Sequence, residues 1–449
     1  MTGRENVQCV PNEKPEKSER ETLGRGLIKK PRGEPNRGVG LSRRNPVERA
    51  EGVNQDRRDF LGAAGMAAVV GAMVPLGISR LPISNPVQGQ FPFSVMLFTD
   101  GTSYYTQNGQ TGQVEEQGST STAGFQEALN MILIKNGGML FVKRGVYRIS
   151  TPIVYNPPGP ANALSAPLRI SGEVLENNTD GIDPIANSPG GVDLRASPDF
   201  PSGSFILNVN KGTQARVDSI RVENLNFIGN SSLQVSGLYL NNPNQGLLLH
   251  CHFAALHNGY YQDSTLGEAA GEMTTQENVF DSCQNFAHYF AGTNNKSIGD
   301  DIYYAFGDIL ESSGFVNAGY HTKYIGCHVD SYPGYAWVLR RPTTLLGCTD
   351  SVQPNASASA SFRIEYVEDN VVLSVRIVAH SQEGSPSSLF SLGGGAFKCV
   401  ALGSDFSSGT LVTGSATHPS KIVLQTCNLA LSPQAPQIPG LTFLTEGSF

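Results

Sequence analysis

From residue 220 onward, apolar and polar positions recur in a short unit: an apolar pair, a small or polar residue, a marker position, and an apolar residue two places on. The instances are Arg221–Phe227, Leu247–Phe253, Thr275–Phe280, Tyr324–Val329, Leu345–Asp350, Ala396–Ala401 and Val423–Leu429. Their markers are Leu225, Cys251, Asn278, Cys327, Cys348, Cys399 and Cys427, at successive gaps of 26, 27, 49, 21, 51 and 28 residues. Two gaps are close to twice the others, which predicts an unmarked coil inside each, near Ile302 and near Ser374. The interval then divides into eight coils of about 25 residues, a period typical of stacked solenoids. A β-sandwich would account for short strands but not for this spacing. Stacking repeats one register in every coil, so the marker cysteines are expected to form a buried interior ladder, with Cys283 outside it.

Composition narrows the class further. The chain has 50 Gly and 27 Pro, and only 16% of its residues are charged, a profile of turns and short strands. An all-β solenoid body follows. Charge is uneven: residues 1–58 carry 14 Lys+Arg against 9 Asp+Glu, and the remainder carries 18 against 30. So acidic a body argues against a nucleic-acid partner, which needs a basic stripe. Residues 1–56 lack apolar periodicity and are expected to be a disordered leader. No CxxC occurs, and in Cys251-His252 and Cys327-His328 adjacent side chains point to opposite faces of a strand, so no metal site is expected.

Two resemblances add to this. Arg57-Arg58-Asp59-Phe60-Leu61 followed by a Gly/Ala-rich apolar run to about Ile78 resembles a twin-arginine export signal over residues 57–80, with a linker at 81–94. An uncleaved membrane anchor is the alternative, and it would be the protein's one contact with a membrane. Export by the twin-arginine route implies a periplasmic, extracellular or cell-surface protein, folded beforehand in a reducing compartment with its thiols free. Further on, an amphipathic stretch at about 123–135, the turn Gly137-Gly138, a strand Met139–Lys143, Gly145-Val146-Tyr147 and Leu168–Gly172 together resemble the opening of pectate lyase-like β-helices. The resemblance covers about residues 95–430 and implies a right-handed parallel β-helix with a short N-terminal capping helix, followed by a surface tail at 431–449. Its superfamily holds hydrolases, lyases, epimerases and proteins without catalysis, and trimers occur in it; nothing in the sequence requires one.

Asn178–Asp183 (NTDGID) and Gly299-Asp300-Asp301 resemble fragments of the polygalacturonase-like hydrolases, which use acidic groups on neighbouring coils. Asp180 and Asp300 stand about five coils apart, over ~20 Å, and cannot share one site. The family's later Gly-His-Gly and Arg-x-Lys motifs are absent. That leaves Asp300, Asp301 and His288 as candidate catalytic residues, against a solvated or calcium-binding turn at Asp300-Asp301. Tyr239, Tyr261 and Tyr289 are spaced to line up on one outer face, where sugar rings would stack their apolar C–H faces on the exposed rings, with Asp263 near the line and Arg340 on a later coil, as candidate residues for a polysaccharide substrate; loop packing by the tyrosines is the alternative. Trp337 and Arg341 would extend the groove. The expected activity is hydrolysis of a glycosidic bond without a cofactor. The alternatives are a lyase, which would recruit Ca²⁺, and a glycan-binding or structural protein without catalysis.

Overall fold

The computed structural model describes residues 93–157, 164–165, 167–174, 191–210, 216–230, 232–266, 270–303, 313–352, 358–365, 372–408, 410–430 and 437–448. The leader, the twin-arginine segment, most of the linker and Asn178–Asp183 lie outside the described residues.

Each coil contributes one short strand to each of three sheets: sheet A with 17 strands, sheet B with 11 and sheet C with 10. One coil runs through Arg221–Glu223 in sheet A, Asn226–Ile228 in sheet B and Ser236–Asn241 in sheet C. The chain then returns to sheet A at Pro243–Leu249, parallel to where it started. The pairings described in sheets B and C are parallel, as a right-handed parallel β-helix requires. Antiparallel pairing occurs where Tyr104–Asn108 joins Ser94–Thr99 and Val114–Gly118.

The corner from sheet A to sheet B explains the sequence repeat. One residue there adopts a left-handed backbone, as do Asn224, His250 and Glu277 and then Gly299, Gly326 and Gly347, with φ between 49° and 63°. Glycine reaches this region at no steric cost, and Asn is among the better tolerated alternatives. The next residue turns inward. These inward positions are Leu225, Cys251, Asn278, Asp300, Cys327, Cys348, His380, Ser404 and Cys427, all essentially without solvent exposure. The hidden coils are present at Asp301–Tyr303 and Leu373–Val378. One expected marker falls out of register: Cys399 lies within the sheet A strand Phe397–Leu402, paired with Val375 and Ile422, and His380 and Ser404 hold the neighbouring corners. The six body cysteines are free and buried, Cys283 at a different corner.

Aromatic stacks follow the strand spacing. Phe227, Phe253 and Phe280 face one another at 4.9 and 4.8 Å inside sheet B. Trp337 is fully buried and stacks on Phe315 at 4.6 Å, so it extends no surface groove. The opening coil is closed by helix α1 (Phe125–Ile134), whose Phe125, Ala128, Leu129 and Ile132 fall on one buried stripe. Burial of each large side chain there contributes roughly 1.5–3 kcal/mol. At the other end the chain does more than run over the surface: Leu441–Glu446 adds a parallel strand beside Ser420–Gln425. Among the described residues no helix is long and apolar enough to cross a membrane.

Candidate functional site

Sheet C presents the face on which five of the residues singled out from the sequence meet. Tyr239 pairs with Tyr261 and Tyr261 with Tyr289 on successive coils. Alternation points their rings outward while Leu238, Tyr260 and His288, one residue earlier, point in. The rings stack at 5.6 and 4.5 Å with near-parallel planes. Phe205 and Phe286, which the spacing argument missed, pack their edges against this row at 5.4 Å from Tyr239 and 5.5 Å from Tyr289. The tyrosines therefore cover one another's faces. A sugar cannot lie flat on an exposed ring, as the sequence suggested; the row offers ring edges and hydroxyls instead.

Those hydroxyls lie in a charged setting. Tyr239 Oη donates to Asp263 Oδ2 at 2.9 Å. Burial, and then the Asp263 carboxylate, push the Tyr239 phenol well above its usual range; burial and the neighbouring Tyr289 do the same to Tyr261. Both phenols stay neutral at physiological pH and serve as hydrogen-bond donors and acceptors, not as bases. The Arg340 guanidinium is close enough to Tyr261 to oppose that rise. It donates to Glu365 at 2.9 Å, and Glu365 also accepts from Arg363, whose guanidinium lies over the Tyr335 ring at 5.2 Å. Glu365 is one coil from Arg340, 25 residues on, and that period could have revealed it.

The three candidate catalytic residues do not form one open site: Asp300 and His288 meet through Thr275 in the interior, while Asp301 lies outside beside His328. Asp300 is one of the inward corner positions and is fully buried. Its Oδ1 accepts from the Asn278 backbone N–H and side-chain amide at 2.8 and 2.9 Å, and its Oδ2 from Thr275 and Ser297 at 2.5 and 2.6 Å. Burial raises its pKa to about 6 although the hydrogen bonds pull the other way. With four protein donors it is neither a solvated turn nor an open calcium ligand. His288 is also fully buried, its Nε2 3.1 Å from Thr275 Oγ1, and burial lowers its pKa to about 3. A polymer cannot reach either residue, which corrects their assignment to a catalytic cleft.

Asp301, the next residue, faces out from sheet B, 4.0 Å from His328 Nδ1 on the following coil. Asp281 and Asp330 pair on either side of Tyr303 in the neighbouring outward row. His252 belongs to the same face, its pKa lowered by burial. Among the described residues no group of three or more His, Cys, Asp or Glu side chains could hold a metal ion.

No protein-family model matches the chain, and no curated protein matches it. Solved structures do. The catalytic unit of a thermostable GH87 alpha-1,3-glucanase from Streptomyces thermodiastaticus is 14% identical with a TM-score of 0.44, covering 74% of this chain and 66% of its own. The Dettilon tailspike protein is 9% identical with a TM-score of 0.45, covering 74% and 64%. A tailspike of an Acinetobacter phage is 12% identical with a TM-score of 0.40, covering 69% and 57%. This chain thus spans less than two thirds of the length of each. At such identities the likeness concerns the fold alone.

Proposed function

We propose that this protein recognises a polysaccharide lying along the outer face of sheet C. The observation that carries the proposal is the row Tyr239, Tyr261 and Tyr289, with hydroxyls set one coil apart beside Asp263 and Arg340. A polysaccharide is itself a line of repeating hydroxyls, and a row at about 4.8 Å per coil offers matching donors and acceptors along its length. An alpha-1,3-glucanase stands among the solved structures of similar fold, in keeping with a carbohydrate ligand. Periplasmic, extracellular or cell-surface location, reached through the twin-arginine segment, belongs to the same proposal.

Recognition is favoured over cleavage for a chemical reason. A glycosidase places two carboxyl groups about 5–9.5 Å apart across the scissile bond. On sheet C, among the described residues, no second carboxylate stands on a coil next to that of Asp263; Glu365 is four strands away, roughly 19 Å. Affinity electrophoresis of the full chain through gels containing glucans, xylan or alginate tests the proposal, with reducing ends measured in parallel. Retardation that Tyr261→Ala abolishes, without new reducing ends, is the expected result. Release of reducing ends would return the weight to hydrolysis and to Asp301, and no retardation in any gel would refute the proposal.

A further inference from the structure

A second surface, on sheet A, carries chemistry that the tyrosine row does not use. A cleft of about 620 Å³ opens where sheet C turns into sheet A. That volume is in the range of sites for small ligands. Its rim is formed by Gln245, Glu272, Asn294 and His321, which hold left-handed backbone conformations at φ 58°, 62°, 55° and 56°. Its floor is the outward row Thr274, Lys296 and Lys323, paired in that order on three adjacent coils.

The two lysines are the informative pair. Lys296 lies directly beside Lys323 in the parallel ladder, and both are exposed. Among the described residues neither ammonium has a carboxylate partner. Like charges set directly opposite one another cost stability. Elsewhere on this face Arg169 and Arg221, also on neighbouring coils, both bind Glu223, while Lys398 and Lys421 form a second laddered pair without a carboxylate partner among the described residues, outside the cleft. Lys296 and Lys323 have no such neutraliser, in a chain whose net charge is −7. A bound anion would supply the missing charge. A simple inorganic anion would be repelled by Glu272 on the rim, however. A ligand that places an acidic group at the lysines and hydroxyls at Glu272, Asn294, Gln245 and His321 satisfies both halves of the cleft.

We propose that this cleft binds a sugar acid, holding its carboxylate between Lys296 and Lys323 and its hydroxyls on the rim. The inference rests on the reading that the ligand is a glycan, and it adds a preference for acidic residues through a surface separate from sheet C.

The test is calorimetric titration of the full chain with two trisaccharides of one linkage, β-1,4-linked glucuronic acid and cellotriose, which differ in the C6 carboxylate. Inorganic sulfate serves as the bare-anion probe. The expected result is tighter binding of the acidic sugar by about tenfold or more, the scale of a charged hydrogen bond or two. Lys296→Met with Lys323→Met should erase that difference while Tyr261→Ala leaves it in place. Because the double variant relieves repulsion, its melting temperature should equal or exceed that of the parent; Lys323→Gln alone is the second variant should the double one fail to fold. Equal binding of the two sugars, no binding of the acidic one, a preference untouched by the lysine changes, or sulfate binding as tightly as the acidic sugar would each overturn the inference. Equal binding that Tyr261→Ala abolishes would do so while leaving the sheet C reading intact. A preference lost with Tyr261→Ala and kept by the lysine variants would place the acid on sheet C.

Discussion

Two rows in sheet C run side by side, one residue out of step, and have opposite fates. Leu238, Tyr260 and His288 enter the core, whereas Tyr239, Tyr261 and Tyr289 face outward on the same three coils. Both rows have the same backbone and the same spacing, and each contains tyrosine. Which side of the pleat a residue takes decides whether its polar atoms must be satisfied by the protein or are left for a ligand. Inside, His288 Nε2, Thr275 and Asp300 form a buried network, with His288 Nδ1 left without a partner. Outside, the tyrosine row stands part-exposed beside Asp263 and Arg340, where a ligand can reach it.

Substitutions should separate the rows, the largest effect coming from the apolar interior. Phe280→Ala removes the end of the Phe227–Phe253–Phe280 stack and is expected to cost about 3–5 kcal/mol in denaturant unfolding, the usual price of a large buried ring. Asp300→Asn keeps the shape but gives the buried donors of Asn278, Thr275 and Ser297 a poorer acceptor, at about 1–3 kcal/mol by the same measurement. Tyr261→Ala should lower stability by about 0.4–2 kcal/mol, the worth of its two cross-strand pairs with Tyr239 and Tyr289. It should nevertheless weaken polysaccharide binding measurably.

Acid adds a finer distinction within the inner row. In the folded protein the Asp300 pKa is raised from 3.8 to about 6, so between those values the native state holds a proton that the unfolded chain has lost, and stability rises as pH falls through that window. His288 acts in the opposite sense. Its pKa is lowered from 6.5 to about 3, so the unfolded chain takes up a proton first and stability is lost as pH falls from about 6.5. The two contributions offset each other between about pH 6 and 4. Asp300→Asn removes one of them, and its unfolding free energy should fall more steeply than that of the parent across that window, by on the order of 1 kcal/mol per pH unit. Parallel pH profiles would contradict the assignment of Asp300 to the buried network.

The fold was largely legible because a solenoid writes its register into the sequence about every 25 residues. The coils and the alignment of Tyr239, Tyr261 and Tyr289 came from that period; the capping helix came instead from the resemblance of the stretch from about 123 onward to the opening of pectate lyase-like β-helices. The chemistry was less legible for the same reason. Asp300 resembled part of an acidic motif, yet the repeat already assigned its place: Asn278, Asp300 and Cys327 stand 22 and 27 residues apart, successive inward corners. Cys399 misleads in the opposite direction, since this cysteine has nearly the corner spacing yet sits in a strand. Ring orientation could not be read at all, because spacing shows that side chains line up but not whether their faces remain open. The lysine cleft escaped because Gln245, Glu272, Asn294 and His321 share a turn whose left-handed backbone only the coordinates reveal.

The most direct test of the central claim compares Tyr261→Ala with Asp300→Asn in one pair of measurements, retardation in polysaccharide gels and unfolding free energy. The account predicts that Tyr261→Ala loses retardation with a stability loss of at most about 2 kcal/mol, and that Asp300→Asn loses stability while the folded fraction keeps the parent's retardation. The reverse, with binding lost through Asp300 and retained without the Tyr261 ring, would contradict it.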